Sequence, residues 1–387
     1  MEQQKLWSNY FIAVVGSSLF MSWGFYALTP TLPIYLVKNL GIEHGSLGLV
    51  LGVFSIVSIA VRPLAGYLID NYHRAGIMIA ALALMTGAYG VYPLVGTVFG
   101  LLVLRSVHGA LWGIATSASA PVVGDIVPPS RLGEGIGIYA MCTPVGMTLG
   151  PVFGLDLLKA YGPYVMFLGI VGVSLVSAVF AYFTRASSKP PRKKKFSFLA
   201  MFHKNAFPIA LCMFFIIMAY GAIIVFVGVY AGQKDFSHVG AFFLCFAAAI
   251  FLSRMFCGRL FDEGRILLLI GGGHLLAAAG MLWLGYASSP AQFLAAGVVG
   301  GLGYGMLLPA AQAAINAIVD ANERGAANST YLISYDLGIG ISSLAIGSLL
   351  TRVSLAVIYR CSALLIVLSA AIFMLMAIPH YYRCRRS

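Results

Sequence analysis

Roughly twelve apolar runs, each about 20 residues long and divided by short polar connections, leave this chain few ways to fold. A run of that length matches an α-helix crossing a hydrocarbon layer of about 30 Å. The runs lack the two-residue alternation of a lipid-facing barrel strand. Composition closes the remaining exit: charged residues make up 9% of the chain, against roughly 25% in a soluble domain. Such a chain cannot cover itself with a water-facing surface. Its glycines and prolines lie inside the runs, which suits kinked and closely packed helices. The first run, near 9–37, is too long for the apolar part of a leader and reads as a span.

The runs are duplicated. Arg62, Gly66, Leu68 and Asp70 recur as Arg254, Gly258, Leu260 and Asp262, an offset of 192 residues in a chain of 387. At the same offset Gly109 meets Gly301, Trp112 meets Tyr304, Gly113 meets Gly305, Tyr139 meets Tyr331 and Gly146 meets Gly338. The expected architecture is therefore all-α, with 12 transmembrane helices in two pseudo-symmetric six-helix bundles. Its parts are 1–184 for the first bundle, 185–204 for a basic linker, and 205–387 for the second bundle with a short basic tail. Duplicated membrane proteins are mostly transporters. The linker, with Lys189, Arg192, Lys193, Lys194 and Lys195, and the net charge of +12 fit a segment resting on anionic membrane lipids rather than on nucleic acid. Lys and Arg fall mostly on the side of the two termini. Lys38, Lys159, Lys234, Arg352 and Arg360 are exceptions, and Arg105 lies within a span. The positive-inside rule then puts both termini in the cytoplasm.

The repeated cluster stands at the ends of the second and eighth runs. A glycine there lets a helix approach its neighbour closely, and an aspartate at a helix end can bind basic groups or a helix N-terminus. This is the chemistry of a latch, with Gly66, Asp70 and Arg74 in one copy and Gly258, Asp262 and Arg265 in the other. The segment Gly66-Tyr-Leu68-Ile-Asp70-Asn-Tyr-His-Arg74 resembles the loop signature G-x-L-a-D-r-x-G-r of the major facilitator superfamily, although Asn71 and His73 depart from it. Arg105-Ser-Val-His108-Gly109 resembles that family's R-x-x-q-G motif, with His108 in place of glutamine. The resemblance gives Arg105 and His108 a part in handling protons or substrate charge. An arginine inside a span costs roughly 2.5–3.5 kcal/mol on insertion scales, so it needs a partner or a wet cavity. Gly146, Gly150, Pro151 and Gly154 resemble the g-x-x-x-G-P-x-x-G signature of the family's drug:proton antiporter branch. Their glycines let two helices touch, and Pro151 bends one of them.

Asp336 lies about nine residues into the apolar eleventh run. At the repeat offset it faces Pro144, so no shared structural need explains it. A carboxylate so placed can load and release a proton. In the family fold the first, fourth, seventh and tenth spans line the cavity, which implies Trp23, Tyr26, Trp112, Tyr220, Tyr304, Gln312 and Asn316 as lining residues. Aromatic walls with a few amides suit a bulky amphiphile. Asp125, Glu134, Asp320 and Glu323 lie beside Arg131 and Arg324 and read as interhelical ion pairs, and His274 as a packed histidine. The six cysteines read as small apolar packers, not disulfides or metal ligands. No nucleotide-binding loop and no hydrolase motif occurs, so neither an enzyme nor a cofactor is implied. The expected function is proton-coupled efflux of a small amphiphile, a drug or a metabolite such as a siderophore, by a monomer in a bacterial inner membrane. Uptake of a sugar, organic acid or nucleoside is the alternative, and a lipid flippase or receptor stands behind both.

Overall fold

The computed structural model describes residues 6–128, 131–184, 202–236, 239–320 and 323–386. The side chains of Gly258, Asp262 and Arg324 lie outside the described residues, as do positions 185–201 of the basic linker. The described residues are almost all helical: α1 (Asn9–Lys38), α2 (His44–Asn71), α3 (Arg74–Val91), α4 (Val98–Ile126), α5 (Leu132–Ala140), α6 (Cys142–Tyr182), α7 (Phe207–Gln233), α8 (Val239–Asp262), α9 (Ile266–Tyr286), α10 (Pro290–Ala317), α11 (Arg324–Leu349), α12 (Leu355–Ile372) and α13 (Ile378–Arg386).

Among the described residues eleven stretches are long and apolar enough to cross a membrane, and one of them, Glu134–Tyr182, runs for 49 residues. At 1.5 Å per residue it would be about 74 Å long, more than twice the hydrocarbon thickness. It holds two spans. Gly162 breaks α6 with φ 84° and ψ 179°, a conformation open to glycine because it has no Cβ. Pro163 follows, its fixed φ suited to a first helical turn. Beyond the break Gly169 lies against Leu157 and Phe153. In a straight helix Leu157 would be about 18 Å from Gly169, so the chain doubles back. The twelve spans expected from the sequence are recovered, with the fifth turning into the sixth at Tyr161-Gly162-Pro163.

Contacts divide the chain into unit 1 (Met1–Tyr35 and Ile56–Ser197) and unit 2 (Leu36–Ser55 and Phe198–Ser387). The segment Leu36–Ser55 thus groups with the second half of the sequence. Small residues account for this. A Cβ on Gly48 would lie 2.8 Å from the Gly347 Cα, and one on Gly340 would lie 2.7 Å from the Ser55 Cβ. That backbone-to-backbone seam between α2 and α11 was not anticipated from the sequence, although Gly48, Gly52 and Ser55 share one helix face.

Within unit 1, α3 packs on α4 and α6. The Ser177 hydroxyl donates to the Ser17 carbonyl at 2.8 Å, tying α6 to α1, and Thr86 and Ser174 hydroxyls meet at 2.8 Å between α3 and α6. Within unit 2, α10 packs on α8 and α9, and α7 on α11 and α12. Tyr230 donates to the Leu284 carbonyl at 3.0 Å, Tyr359 to that of Ala222 at 3.1 Å and Ser369 to that of Cys212 at 2.9 Å. Each such bond satisfies a hydroxyl that would otherwise be stranded in apolar surroundings.

The repeat persists at the level of contacts. A Cβ on Gly113 of α4 would stand 2.7 Å from the Ser58 carbonyl oxygen of α2, and one on Gly305 of α10 would stand 2.7 Å from the Ile250 Cα of α8. Ser58 and Ile250 are 192 residues apart. Gly146 approaches Ser22 on α1, and Gly338 approaches the Phe214 carbonyl on α7, again at that offset. Each unit therefore closes the same two helix pairs at the same glycines.

Candidate coupling and gating sites

The interior of unit 1 holds a polar cluster. Helix α4 starts cleanly because Thr97 caps it, accepting from the Gly100 N–H at 3.2 Å. Arg105 follows two turns later and His108 one turn after that. Their exposures are 7% and 0%, so Arg105 is buried in the unit and does not reach for the membrane surface. One of its partners is Tyr92, from the short turn Tyr92–Leu94 that joins α3 to α4. The Tyr92 hydroxyl lies 3.0 Å from His108 Nδ1 and accepts from Arg105 Nη1 at 3.5 Å. Tyr89 sets its ring edge-to-face on His108 at 4.7 Å, and Phe167 of α6 stacks on Tyr92 at 5.7 Å. The sequence pairs Arg105 with His108 but gives no sign of Tyr92, which sits in a connection.

A second cluster gathers at the α2–α3 turn. Arg74 donates to both carboxylate oxygens of Asp125, at 3.0 and 3.1 Å, and its Nη2 stands 3.8 Å from Asp70. Its Nε donates to the Ile69 carbonyl at 3.3 Å. One guanidinium thus joins the ends of α2, α3 and α4 inside unit 1. Asp125 was expected beside Arg131, but Arg131 instead pairs with Glu134 three residues on, at 2.7 Å. The departure at His73 has a local reason: its Nδ1 accepts from the Gly76 N–H at 3.1 Å and caps α3. In the second copy Arg265 is exposed and pairs with Glu263 at 3.2 Å, next to a turn at Gly264 with φ 76°. The other two members of that copy, Gly258 and Asp262, have side chains outside the described residues.

The glycines of the g-x-x-x-G-P-x-x-G segment face α1 of the same unit. A Cβ on Gly146 would lie 2.6 Å from the Ser22 Cβ, one on Gly150 2.7 Å from the Ala27 nitrogen, and one on Gly154 2.5 Å from the Ala27 carbonyl oxygen. The stripe brings the α1 and α6 backbones together. Pro151 sits among these glycines, buried and without an N–H to give its helix.

In unit 2, Asp336 is 8% exposed. It stands twelve residues after the first residue of α11 and thirteen before its last, about 18–20 Å from either end. This is deeper than the nine residues expected, and it moves the carboxylate away from any loop. Three tyrosines stand nearby in sequence or space: the Tyr220 ring lies 5.0 Å from Tyr304 and 6.3 Å from Tyr335. Tyr220 and Tyr304 were expected to line a cavity. They are instead 0% exposed, because they close the α7–α10 contact together with Phe246. Gln312 is exposed and Asn316 half-buried, and Asn328 of α11 joins them. Gln312 donates to Asn328 at 3.3 Å, and Asn328 donates to Asn316 at 2.8 Å. In unit 1 Trp23 and Trp112 are half-buried and Tyr26 buried, with Trp112 stacked on Phe25 at 3.9 Å and Trp23 edge-on to Phe153 at 5.7 Å.

The family model of the Major Facilitator Superfamily matches residues 14–294 and 275–383. The chain belongs to the major facilitator superfamily. As such it is a transporter of small molecules and not an enzyme. It is 25% identical to an uncharacterised MFS-type transporter of Methanocaldococcus jannaschii over 381 residues, which cover 93% of this chain and 96% of that protein. It is 27% identical to the multi-drug resistance efflux pump PmrA homolog of Lactococcus lactis subsp. lactis, over 80% of each chain. Its fold is similar to that of the crystallised POT family transporter PepTSo, with a TM-score of 0.80 at 14% identity, covering 97% of this chain and 98% of that one. Arg105 and Asp336, both buried, lie in different units, each built into a membrane-spanning helix.

Proposed function

We propose that this facilitator exports amphiphilic small molecules by alternating access, driven by protons moving the opposite way. One observation carries the reading: Asp336, a carboxylate 8% exposed at the centre of a membrane-spanning helix. Ionisable groups at that depth are costly and are kept where ions or protons pass. Moving one charge across 100 mV releases roughly 2.3 kcal/mol, enough to drive a solute more than tenfold uphill. Asp336 takes the proton, and Arg105 with His108 responds to substrate charge. The Asp70–Arg74 cluster acts as the cytoplasmic latch, joined by Gly258, Asp262 and Arg265 of the second copy. The α6 glycines and Pro151 set the bend of the helix. Export is supported by the efflux pump among its relatives. We place the protein as a monomer in a bacterial plasma membrane with both termini in the cytoplasm.

Proteoliposomes with a trapped pH dye supply the test. Addition of ethidium, a hydrophobic cation, should move protons in the wild type and fail to do so in Asp336→Asn. Proton movement that survives this substitution would remove Asp336 from the mechanism. Ethidium accumulation in intact cells would replace export by uptake.

A further inference from the structure

His274 of α9 is 4% exposed, inside unit 2. Its Nδ1 lies 2.6 Å from the Ile270 carbonyl, one turn earlier on the same helix, and its Nε2 lies 3.0 Å from the Ser369 hydroxyl of α12. That hydroxyl lies 2.9 Å from the Cys212 carbonyl of α7. Three contacts thus run in a chain from α9 through α12 to α7, and both ends of the chain are carbonyls. A carbonyl only accepts, and a serine hydroxyl has one proton to give. At one end Nδ1 must therefore carry a proton. At the other end Ser369 must give its proton to Cys212. The middle contact then needs a proton from Nε2. All three bonds exist together only when both ring nitrogens are protonated, as in the imidazolium. A neutral ring with its proton on Nδ1 leaves a bare lone pair on Nε2, and Ser369 can then serve Nε2 or Cys212 but not both. Four residues past Ser369 the helix widens into a π turn, Phe373–Ala377, and the Phe373 ring lies 6.1 Å from that of His274. Turns of this kind often mark functional positions.

We propose that His274 is a proton-binding site of unit 2, separate from Asp336, at which a proton on Nε2 closes a bond chain joining α9, α12 and α7. With the ring neutral, the Ser369 hydroxyl turns to Nε2, the more basic of its two acceptors, and the Cys212 carbonyl loses its donor. A proton from the aqueous phase binds the Nε2 lone pair. The new N–H donates to the Ser369 oxygen, and the hydroxyl rotates to Cys212. Two charge-assisted N–H bonds to oxygen offset part of the cost of burying the cation. The elements packed around the site add few ionisable groups. Helix α7 brings the Cys212 thiol, which donates to the Pro208 carbonyl at 3.3 Å. Helix α10 carries one titratable residue, Tyr304, turned to Tyr220 and Phe246. Helix α8 carries Arg254 and Cys257, the latter donating to the Ser253 carbonyl at 3.0 Å. Along α9 and α12 the nearest charged residues, Arg265 and Arg360, are nine positions from His274 and Ser369, roughly 13 Å of helix. Among the described residues none of these bonds to His274. The proposal stands on hydrogen-bond geometry and does not rest on the export reading.

Magnetic resonance of the full-length protein in lipid nanodiscs tests this, with nitrogen-15 in the histidine rings and carbon-13 in the cysteine carbonyls. The His274 signals are assigned by their loss in His274→Gln, and the Cys212 carbonyl by its loss in Cys212→Ala. At high pH the wild-type ring should be neutral and protonated on Nδ1. As the pH falls Nε2 should gain its proton, and the Cys212 carbonyl signal should move with the same midpoint. In Ser369→Ala the charged form loses two bonds and the neutral form one, so the midpoint should fall by about 0.5–1 pH unit. The Cys212 signal should then stop following it. Cys212→Ala keeps the backbone carbonyl and should leave the His274 midpoint in place. A neutral ring protonated on Nε2 would overturn the proposal, and so would a ring whose charge stays constant over the pH range in which the protein is folded. A wild-type Cys212 signal that ignores the His274 titration would overturn the bond chain, as would a Ser369→Ala midpoint at or above that of the wild type. The wild-type spectra decide the matter by themselves if Ser369→Ala does not fold.

Discussion

Replacing Gly150 with alanine tests the α1–α6 seam directly. The new Cβ would stand 2.7 Å from the Ala27 nitrogen, 2.7 Å from the Tyr26 carbonyl carbon and 2.8 Å from the Trp23 carbonyl oxygen. All three are backbone atoms, so no side chain can swing away. Ordinary contact needs roughly 3.5–4 Å, so the two helices must part by about 1 Å. Overpacking of this kind costs typically 1–3 kcal/mol, and alanine's better helix propensity returns about 1 kcal/mol at most. Gly172, on the span beyond the Gly162 break, supplies the control, since a Cβ there would meet nothing within 4 Å. Gly172→Ala should be neutral or slightly stabilising. The expected gap between the two variants is about 2 kcal/mol, or roughly 2–3 °C in melting temperature for a chain of this length. The assay is thermal unfolding of the detergent-purified protein, followed by a thiol-reactive dye that reports exposure of the buried Cys142, Cys212 and Cys257. A Gly150→Ala variant melting at or above Gly172→Ala would refute the close approach of α1 and α6.

Two further stability differences follow from the polar contacts. Ser369 bridges His274 Nε2, at 3.0 Å, and the Cys212 carbonyl, at 2.9 Å; Ser369→Ala strands both and should cost about 1–3 kcal/mol in the same melt, with His274→Leu adding little on top. Arg74→Ala leaves the Asp125 carboxylate, 5% exposed, without its bidentate partner and should cost about 2–4 kcal/mol. Arg131→Ala removes a pair with both members more than a third exposed and should change stability by less than about 1 kcal/mol; equal effects at the two arginines would contradict the burial contrast.

Much of the scaffold was legible because membrane helices betray themselves by length and their contacts by glycine. The mates Gly113 and Gly305 could be read because each marks a backbone approach. Side-chain direction was harder to see. A span apolar on all sides gives no polar face to orient it, so Tyr220 and Tyr304 could be placed on α7 and α10 but not turned inward or outward. Tyr92 was missed for a different reason. Its partners lie 13 and 16 residues away on another element, and a tyrosine before a proline looks like any loop residue. The inner end of the Asp70–Arg74 cluster was misjudged because Asp125 sits closer in sequence to Arg131 than to Arg74.

The repeat and the chemistry occupy different positions. The mates Gly113 and Gly305, and Gly146 and Gly338, are glycines pressed on neighbouring helices. Arg62 and Asp70 keep their mates in Arg254 and Asp262, but Arg105, His108, Tyr92 and Asp336 have none. Arg105 faces Gly297 and His108 faces Gly300, while Tyr92 faces Leu284 and Asp336 faces Pro144. The structure gives the reason. A Cβ on Gly297 would lie 2.8 Å from the Phe242 ring, and one on Gly280 would lie 2.5 Å from the Gly300 Cα. At the positions matching His108 and Arg105, unit 2 therefore has close approaches of α10 to α9 and α8. Duplication therefore fixes how each unit is held together, and the buried ionisable residues without mates depart from it: Arg105 and His108 in one unit, Asp336 and His274 in the other.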